Sequence, residues 1–214
     1  MNDSITILPG YRDRKSKHFV NIDRLNDDSI IVDAGACEGD VFVRLREHKQ
    51  TSKCKIFAIE CDRINLEIIK KHSFFYNIEI IEKALVGQNI EGPVKFIRCK
   101  RGSNWGSIKP ANITDRWKDA EDSYDVETLK INDIFNEFGI EKIDYMKMDI
   151  EGSEKMILET MSMETAKKIK QISVEVHWLN VGVGLTMKWA KERLNELGFE
   201  IKLEEHAEIF CERE

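Results

Sequence analysis

The chain has 214 residues, 42% of them hydrophobic and 34% charged, which suits one globular domain with a sizeable core. Its net charge of -6 lacks the basic footprint of a general nucleic-acid binder, and no apolar run reaches the ~20 residues of a membrane span. Residues 1–29 are polar and mixed and read as a lead-in segment. Their basic run, Arg12, Arg14, Lys15, Lys17 and His18, reads as a solvated face or as a lid that meets an anionic substrate. MNDSITILPGYRDRK shows no charged stretch followed by an apolar one, so no signal peptide is expected. Cys37, Cys54, Cys61, Cys99 and Cys211 form no CxxC pair and read as reduced thiols of a cytoplasmic protein.

From residue 30 strands alternate with helices. Strands are expected at 30–33, 55–59 and 78–81, with helices at 41–47 and 62–72 between them. Residues 93–97 suit a strand, 98–110 a loop rich in Gly, Ser and Asn, and 126–129 a short strand. Ile131, Ile134, Phe135 and Phe138 recur at helical spacing until Gly139. A strand at 143–149, a turn at Glu151–Gly152 and a helix opened by Ser153 follow, then a strand at 172–177. A helix over 186–197 ends at Gly198, and strands at 199–203 and 208–211 close as an antiparallel hairpin. The alternation predicts a parallel sheet covered on both faces in one domain, 30–214, with 98–123 as a substrate-side insertion.

The turn IIVDAGACEGD is the first chemical signal. In open α/β sheets ligands sit at the carboxyl ends of strands. Gly35 and Gly39 let backbone approach a ligand there, with Ala36 between them. The turn lacks the full G-x-G-x-x-G spacing of a dinucleotide site. Asp33, Glu38 and Asp40 repel a pyrophosphate but suit the sulfonium and ammonium of S-adenosylmethionine. Glu60, after the second strand, is placed to accept hydrogen bonds from ribose hydroxyls, with Cys61 beside it.

Three stretches together, IIVDAGACEGD, FAIECDRINLEIIKKH and DYMKMDIEGSEKMILE with ISVEVH downstream, resemble the FkbM family of S-adenosylmethionine-dependent methyltransferases. KMDIEGSE is the most specific phrase, and the resemblance spans residues 30–180. It implies a class I methyltransferase (Rossmann-like) α/β fold: a seven-stranded, mostly parallel sheet, an antiparallel C-terminal hairpin and helices on both faces. It implies that Asp33, Gly35 and Gly39 form the first cofactor motif, that Glu60 binds the ribose and that Lys83 and Ala84 lie at the adenine edge. Cys37 stands where the family usually has Asn, and Cys61 where it usually has Pro. The implied acceptor is a hydroxyl of a sugar or other small metabolite.

A hydroxyl needs a base or a metal ion before it attacks a methyl group. Asp149 and Glu151 follow one strand, and Glu175 and His177 share a face of the next. Two readings stay open. His177 is a general base oriented by a carboxylate, or Asp149 with Glu175 or His177 holds magnesium or manganese. Lys147 reads as structural, pairing a carboxylate. Ser103, Asn104, Trp105 and Ser107 are placed to wall the acceptor pocket, and Trp178 to stack on a sugar ring. Rivals are an NAD-dependent oxidoreductase, a non-catalytic adenosine-ligand-binding module, and an RNA methylase resting on Arg98, Lys100 and Arg101.

Overall fold

The computed structural model describes residues 5–9, 17–76, 78–99, 106–108, 120–177 and 186–214. An N-terminal hairpin, β1 (Ile5–Pro9) with β2 (Lys17–Asn21), comes first. Then β3 (Ile30–Ala34), α1 (Asp40–Glu47), β4 (Lys55–Ile59), α2 (Arg63–Tyr76) and β5 (Ile78–Ile81) alternate. The middle holds β6 (Ala84–Val86), β7 (Val94–Cys99), β8 (Gly106–Ser107), β9 (Ala120–Val126), β10 (Thr128–Lys130) and α3 (Ile134–Phe138). The last third runs β11 (Tyr145–Met148), α4 (Glu154–Thr160), α5 (Met163–Lys167), β12 (Gln171–Glu175), α6 (Met187–Glu196), β13 (Glu200–Glu205) and β14 (Glu208–Glu212).

Seven strands form one mixed sheet in the order β13-β14-β12-β11-β3-β4-β5. β12, β11, β3, β4 and β5 are mutually parallel, and β14 runs antiparallel between β12 and β13. Side-chain alternation splits the core into two layers. Ile31, Ile56, Ala58 and Tyr145 pack with α1, α2 and the N-terminal hairpin. Val32, Phe57, Met146, Ile172 and Val174 pack with α3, α4, α5 and α6. Strands sandwiched this way are apolar on both faces, which explains runs such as Ile30–Val32 and Ile56–Ile59. Chain order reverses between β3 and β11, because β3 continues to β4 on one side and meets β11 on the other. That reversal opens a crevice at the carboxyl ends of the two strands.

Several elements differ from the sequence expectation. The polar lead-in contains β1 and β2, whose Leu8, Phe19 and Val20 are buried against the sheet. β6 pairs in parallel with β10, and each has three residues, too few to show a period. The strand expected at 126–129 is divided at Glu127 between β9 and β10. The loop expected at 98–110 contains the end of β7 and all of β8. These two join β9 in an antiparallel sheet of three, order β8-β7-β9, beside the crevice.

Phe138 stacks on Phe57 with ring centroids 4.3 Å apart and planes 6° from parallel. Both rings are buried. Phe138→Ala is expected to cost about 3–5 kcal/mol in urea unfolding, the range for emptying a buried aromatic site. A cost below about 1 kcal/mol would show that α3 is not packed as described.

Candidate functional site

The crevice is built around one buried ammonium. Lys147 in β11 is 3% exposed. Its Nζ donates to the Gly35 carbonyl at 2.6 Å and lies 3.4 Å from Asp33 Oδ1 and 3.5 Å from Asp149 Oδ2. Burial opposes its charge, but Asp33 and Asp149 outweigh that and hold it protonated. Asp33 therefore serves Lys147 and does not line the cavity, contrary to its expected contact with a cationic ligand.

The two glycines differ: Gly35 lines the cavity and Gly39 does not. Gly35 has φ +77°, and a Cβ there would lie 1.8 Å from the Asp149 carbonyl oxygen. Its freedom lets β3 and β11 ends approach each other, while Asp149 N–H donates to Ala34 O at 3.1 Å. Gly39 has φ +97° and is the N-cap of α1, where a Cβ would strike the Phe42 ring. It does not line the cavity.

A cavity of about 320 Å³ lies over these loops. Gly35, Ala36 and Cys37 line it from the first turn, and Glu60 and Cys61 from the end of β4. Lys83 and Ala84 form a further wall, with the Lys83 ammonium paired to Glu137. Phe96, Ser107 and Ile108 close the side beside the three-stranded sheet.

Glu60 is fixed by backbone. Its Oε2 accepts from Cys37 N–H at 2.7 Å, and its Oε1 from Cys61 N–H at 2.8 Å and Asp62 N–H at 2.7 Å. Burial pushes its pKa up to about 7 against these donors. Asp62 caps α2, accepting from Ile64 N–H at 2.8 Å, and pairs with buried Arg98. Arg98 is thus committed inside the fold, which removes it from the RNA-binding reading. Lys100 and Arg101 lie outside the described residues. Among the described residues Asn65 Oδ1, Asp62 Oδ2 and Ser153 Oγ are buried without a hydrogen-bond partner, and all three residues line the cavity.

The opposite end of the cavity is acidic. Asp149, Glu151 and Glu175 line it. His177 sits behind them and is not a lining residue. Its Nδ1 meets Glu154 Oε1 at 2.9 Å. Its Nε2 lies 3.7 Å from Asp149, 3.5 Å from Glu151 and 3.7 Å from Glu175. Burial would lower the His177 pKa, but Glu154, Glu151 and Asp149 raise it well above the usual imidazole value. The surrounding carboxylates thus favour the protonated ring. Asp149, Glu151 and His177 offer ligand atoms within 4.8 Å of one another, a spacing that a metal ion would fit.

Sequence reasoning missed three contributors. Glu154, fully buried, accepts from Ile150 N–H at 3.1 Å and from Gly152 N–H at 3.0 Å, so it folds the turn that carries Glu151. The KMDIEGSE phrase contains it, but read as the first residue of a helix it carried no role. His18 and Glu208 are the others. His18 lines the cavity with Nε2 3.6 Å from Asp149 Oδ2, and its Nδ1 is 3.1 Å from Glu208 Oε1. Ser103, Asn104, Trp105 and Trp178 lie outside the described residues. Ser107 reaches the cavity wall.

Comparison with known proteins places this geometry. The family model described as the methyltransferase FkbM domain matches residues 33–207. The structure of an FkbM methyltransferase from Methylobacillus flagellatus KT superposes with a TM-score of 0.56 at 18% identity, covering 87% of this chain and 44% of that one. That likeness shows a shared fold, and this chain spans less than half the length of that protein. Aeropyrum pernix fibrillarin, solved with S-adenosyl-L-methionine, gives a TM-score of 0.49 at 11% identity over 88% of this chain and 67% of that one. M. capricolum TrmK, solved with S-adenosyl-homocysteine, gives 0.46 at 13% over 89% and 63%. No curated protein matches the chain by sequence.

The acidic end makes stability depend on pH. Burial pushes Glu151 up to about 8 and Glu175 up to about 7, from an ordinary 4.5. Between roughly pH 5 and 8 the folded chain then holds protons that the unfolded chain has released, so stability falls as pH rises. His177, raised above its ordinary value, contributes with the same sign. Urea midpoints of the ligand-free protein should decline across this window, and Glu151→Gln should flatten the decline. A midpoint that rises from pH 5 to 8 would contradict the assigned shifts.

Proposed function

Since the chain belongs to the methyltransferase FkbM family, we propose that it moves the methyl group of S-adenosylmethionine to a hydroxyl of a sugar or other small metabolite. The observation that carries this reading is the buried Glu60 carboxylate, held by three backbone N–H groups at the rim of a cavity at the strand reversal. A carboxylate fixed there is placed to accept from ribose hydroxyls. The unpartnered acceptors of Asn65 and Asp62 and the Ser153 hydroxyl suit the donors of an adenosine ligand. The acidic end of the cavity suits a cation.

When bound, S-adenosylmethionine supplies an electrophilic methyl group. The chain's own residues do the rest. The Gly35–Cys37 turn and Glu60 hold the adenosine half, and Lys83 and Ala84 border the base. Asp149, kept ionised because Lys147, His177 and His18 outweigh its burial, orients the cationic centre and the acceptor hydroxyl. Glu151 and Glu175 bind further hydroxyls of the acceptor. β7, β8 and β9 wall the acceptor side, which is the role proposed for the 98–123 insertion. Closing this space against water and aligning the reactants supply much of the rate. Cys37, Cys54, Cys61 and Cys211 are free, in keeping with a cytoplasmic setting. Among described residues no helix is long and apolar enough to cross a membrane.

Calorimetry tests the cofactor. S-adenosylhomocysteine should bind with micromolar affinity, NAD should give no heat, and Glu60→Ala should weaken the former at least tenfold, about 1.4 kcal/mol. Folded protein that ignores S-adenosylhomocysteine would overturn the reading, and a preference for NAD would restore the oxidoreductase alternative.

A further inference from the structure

Two glutamates stand directly opposite each other where the sheet borders the cavity. Glu175 of β12 and Glu208 of β14 are register partners. Like charges set opposite each other destabilise a strand pair. Glu175 lines the cavity and Glu208 is buried. Among the described residues their ion-pair partners are histidines, His18 for Glu208 and His177 for Glu175. Glu208 Oε1 accepts from the Ser173 hydroxyl and lies 3.1 Å from His18 Nδ1. Glu208 Oε2 is buried and, among the described residues, has no hydrogen-bond partner. A buried carboxylate oxygen in that position is costly, and a cation beside it offsets the cost.

The third group comes from β2. Phe19 N–H donates to Ser173 Oγ at 3.2 Å, and Asn21 N–H to Gln171 Oε1 at 2.9 Å. Gln171 Nε2 donates back to Asn21 O at 3.3 Å. These bonds dock the N-terminal hairpin onto β12 in a fixed register and bring His18 to the cavity wall. His18, Glu175 and Glu208 then offer ligand atoms that all lie within 4.8 Å of one another. Asp149, Glu151 and His177 have the same spacing but lack the other marks. Among the described residues none of their side-chain atoms is buried without a partner, His177 does not line the cavity, and Glu151 sits in a turn at φ +52°.

We infer that His18, Glu175 and Glu208 hold one divalent first-row cation at the cavity wall. An imidazole with two carboxylates suits manganese or zinc better than calcium or magnesium, which take oxygen ligands. One ligand from each of three docked strands makes a rigid frame, and three protein ligands leave positions open toward the cavity. Resting on the methyl-transfer reading above, the ion takes the acceptor's hydroxyl oxygen at an open position and fixes it for transfer. Glu175 then holds the acceptor through the ion. His18 and Glu208 both fall outside the family-matched span of 33–207, so this site goes beyond what the family match covers.

Mn2+ is the probe. When chelator-stripped protein is titrated with Mn2+, the free-ion paramagnetic signal should fall to an endpoint of one ion per chain. The spin-echo spectrum of the bound ion should carry nitrogen modulation from an imidazole. His18→Gln should remove that modulation and His177→Gln should keep it. Glu208→Gln, with its fold checked by circular dichroism, should weaken Mn2+ binding at least about tenfold. No saturable binding would overturn the inference, as would binding that none of these variants weakens, the mark of an adventitious surface ion. Modulation lost in His177→Gln and kept in His18→Gln would overturn it in favour of the neighbouring group. Transfer of labelled methyl from S-adenosylmethionine into the small-molecule fraction of cell extract should stop with EDTA and return with added Mn2+ or Zn2+. Transfer that EDTA leaves unchanged would overturn the role given to the ion. A parent protein that binds Mn2+ as described but ignores S-adenosylhomocysteine would sink the methyl-transfer reading and leave the metal site standing.

Discussion

The site depends on a single buried ammonium between two strand ends. Lys147 reaches from β11 under the first turn, holding the Gly35 carbonyl while Asp33 and Asp149 share its charge. A buried charge is tolerable only when paired and hydrogen-bonded, and removing one partner leaves the others uncompensated. This constraint explains why the otherwise apolar strand β3 carries Asp33. It also explains the glycine at position 35, since the turn carrying the Lys147 acceptor packs against the Asp149 backbone. The switch point of the sheet is thereby closed by electrostatics before any ligand arrives.

From Lys147 the charge pattern spreads outward through Asp149. His18 approaches one of its oxygens and His177 the other. The two imidazoles differ in the neighbours of their second nitrogens. His177 is tied to Glu154 at the start of α4 and sits among carboxylates. His18 is tied to Glu208 on the closing hairpin and reaches the wall itself. β2 and β14 thus meet beside the cavity. The first hairpin, which lies before the family-matched span, is part of the site and not an appendage to it.

Much of this was legible in the sequence where burial is two-sided. Ile30–Asp33, Lys55–Ile59 and Ile78–Ile81 form apolar runs bounded by turn residues, and each is a strand of the sheet. The acid-rich turn, Glu60 and the KMDIEGSE phrase marked the cavity because charged residues at the ends of such strands are few. The hairpin β1–β2 was not legible. Each strand has only five residues, His18 to Asn21 are buried in succession without an alternating pattern, and the basic run reads as a solvated face or a lid. His18 belongs to that run by sequence and to the cavity by register. The signal that would have found it lies elsewhere, in the alternating Gln171, Ser173 and Glu175 of a strand otherwise fit for the core. Asp33 and Gly39, expected in the cofactor motif, do not themselves line the cavity. Proximity to a ligand loop in sequence does not tell a ligand contact from a contact that shapes the loop.

The central claim is that Lys147 organises the cavity, and Lys147→Met tests it most directly. The substitution keeps the length of the side chain and removes its charge. Urea unfolding and S-adenosylhomocysteine calorimetry on the same variant give the answer together. The account predicts a loss of stability of about 3–5 kcal/mol, as for breaking a buried charge cluster, with S-adenosylhomocysteine affinity abolished. A variant that keeps the parent's stability and its affinity would contradict the account, because the two strand ends would then be held by something else.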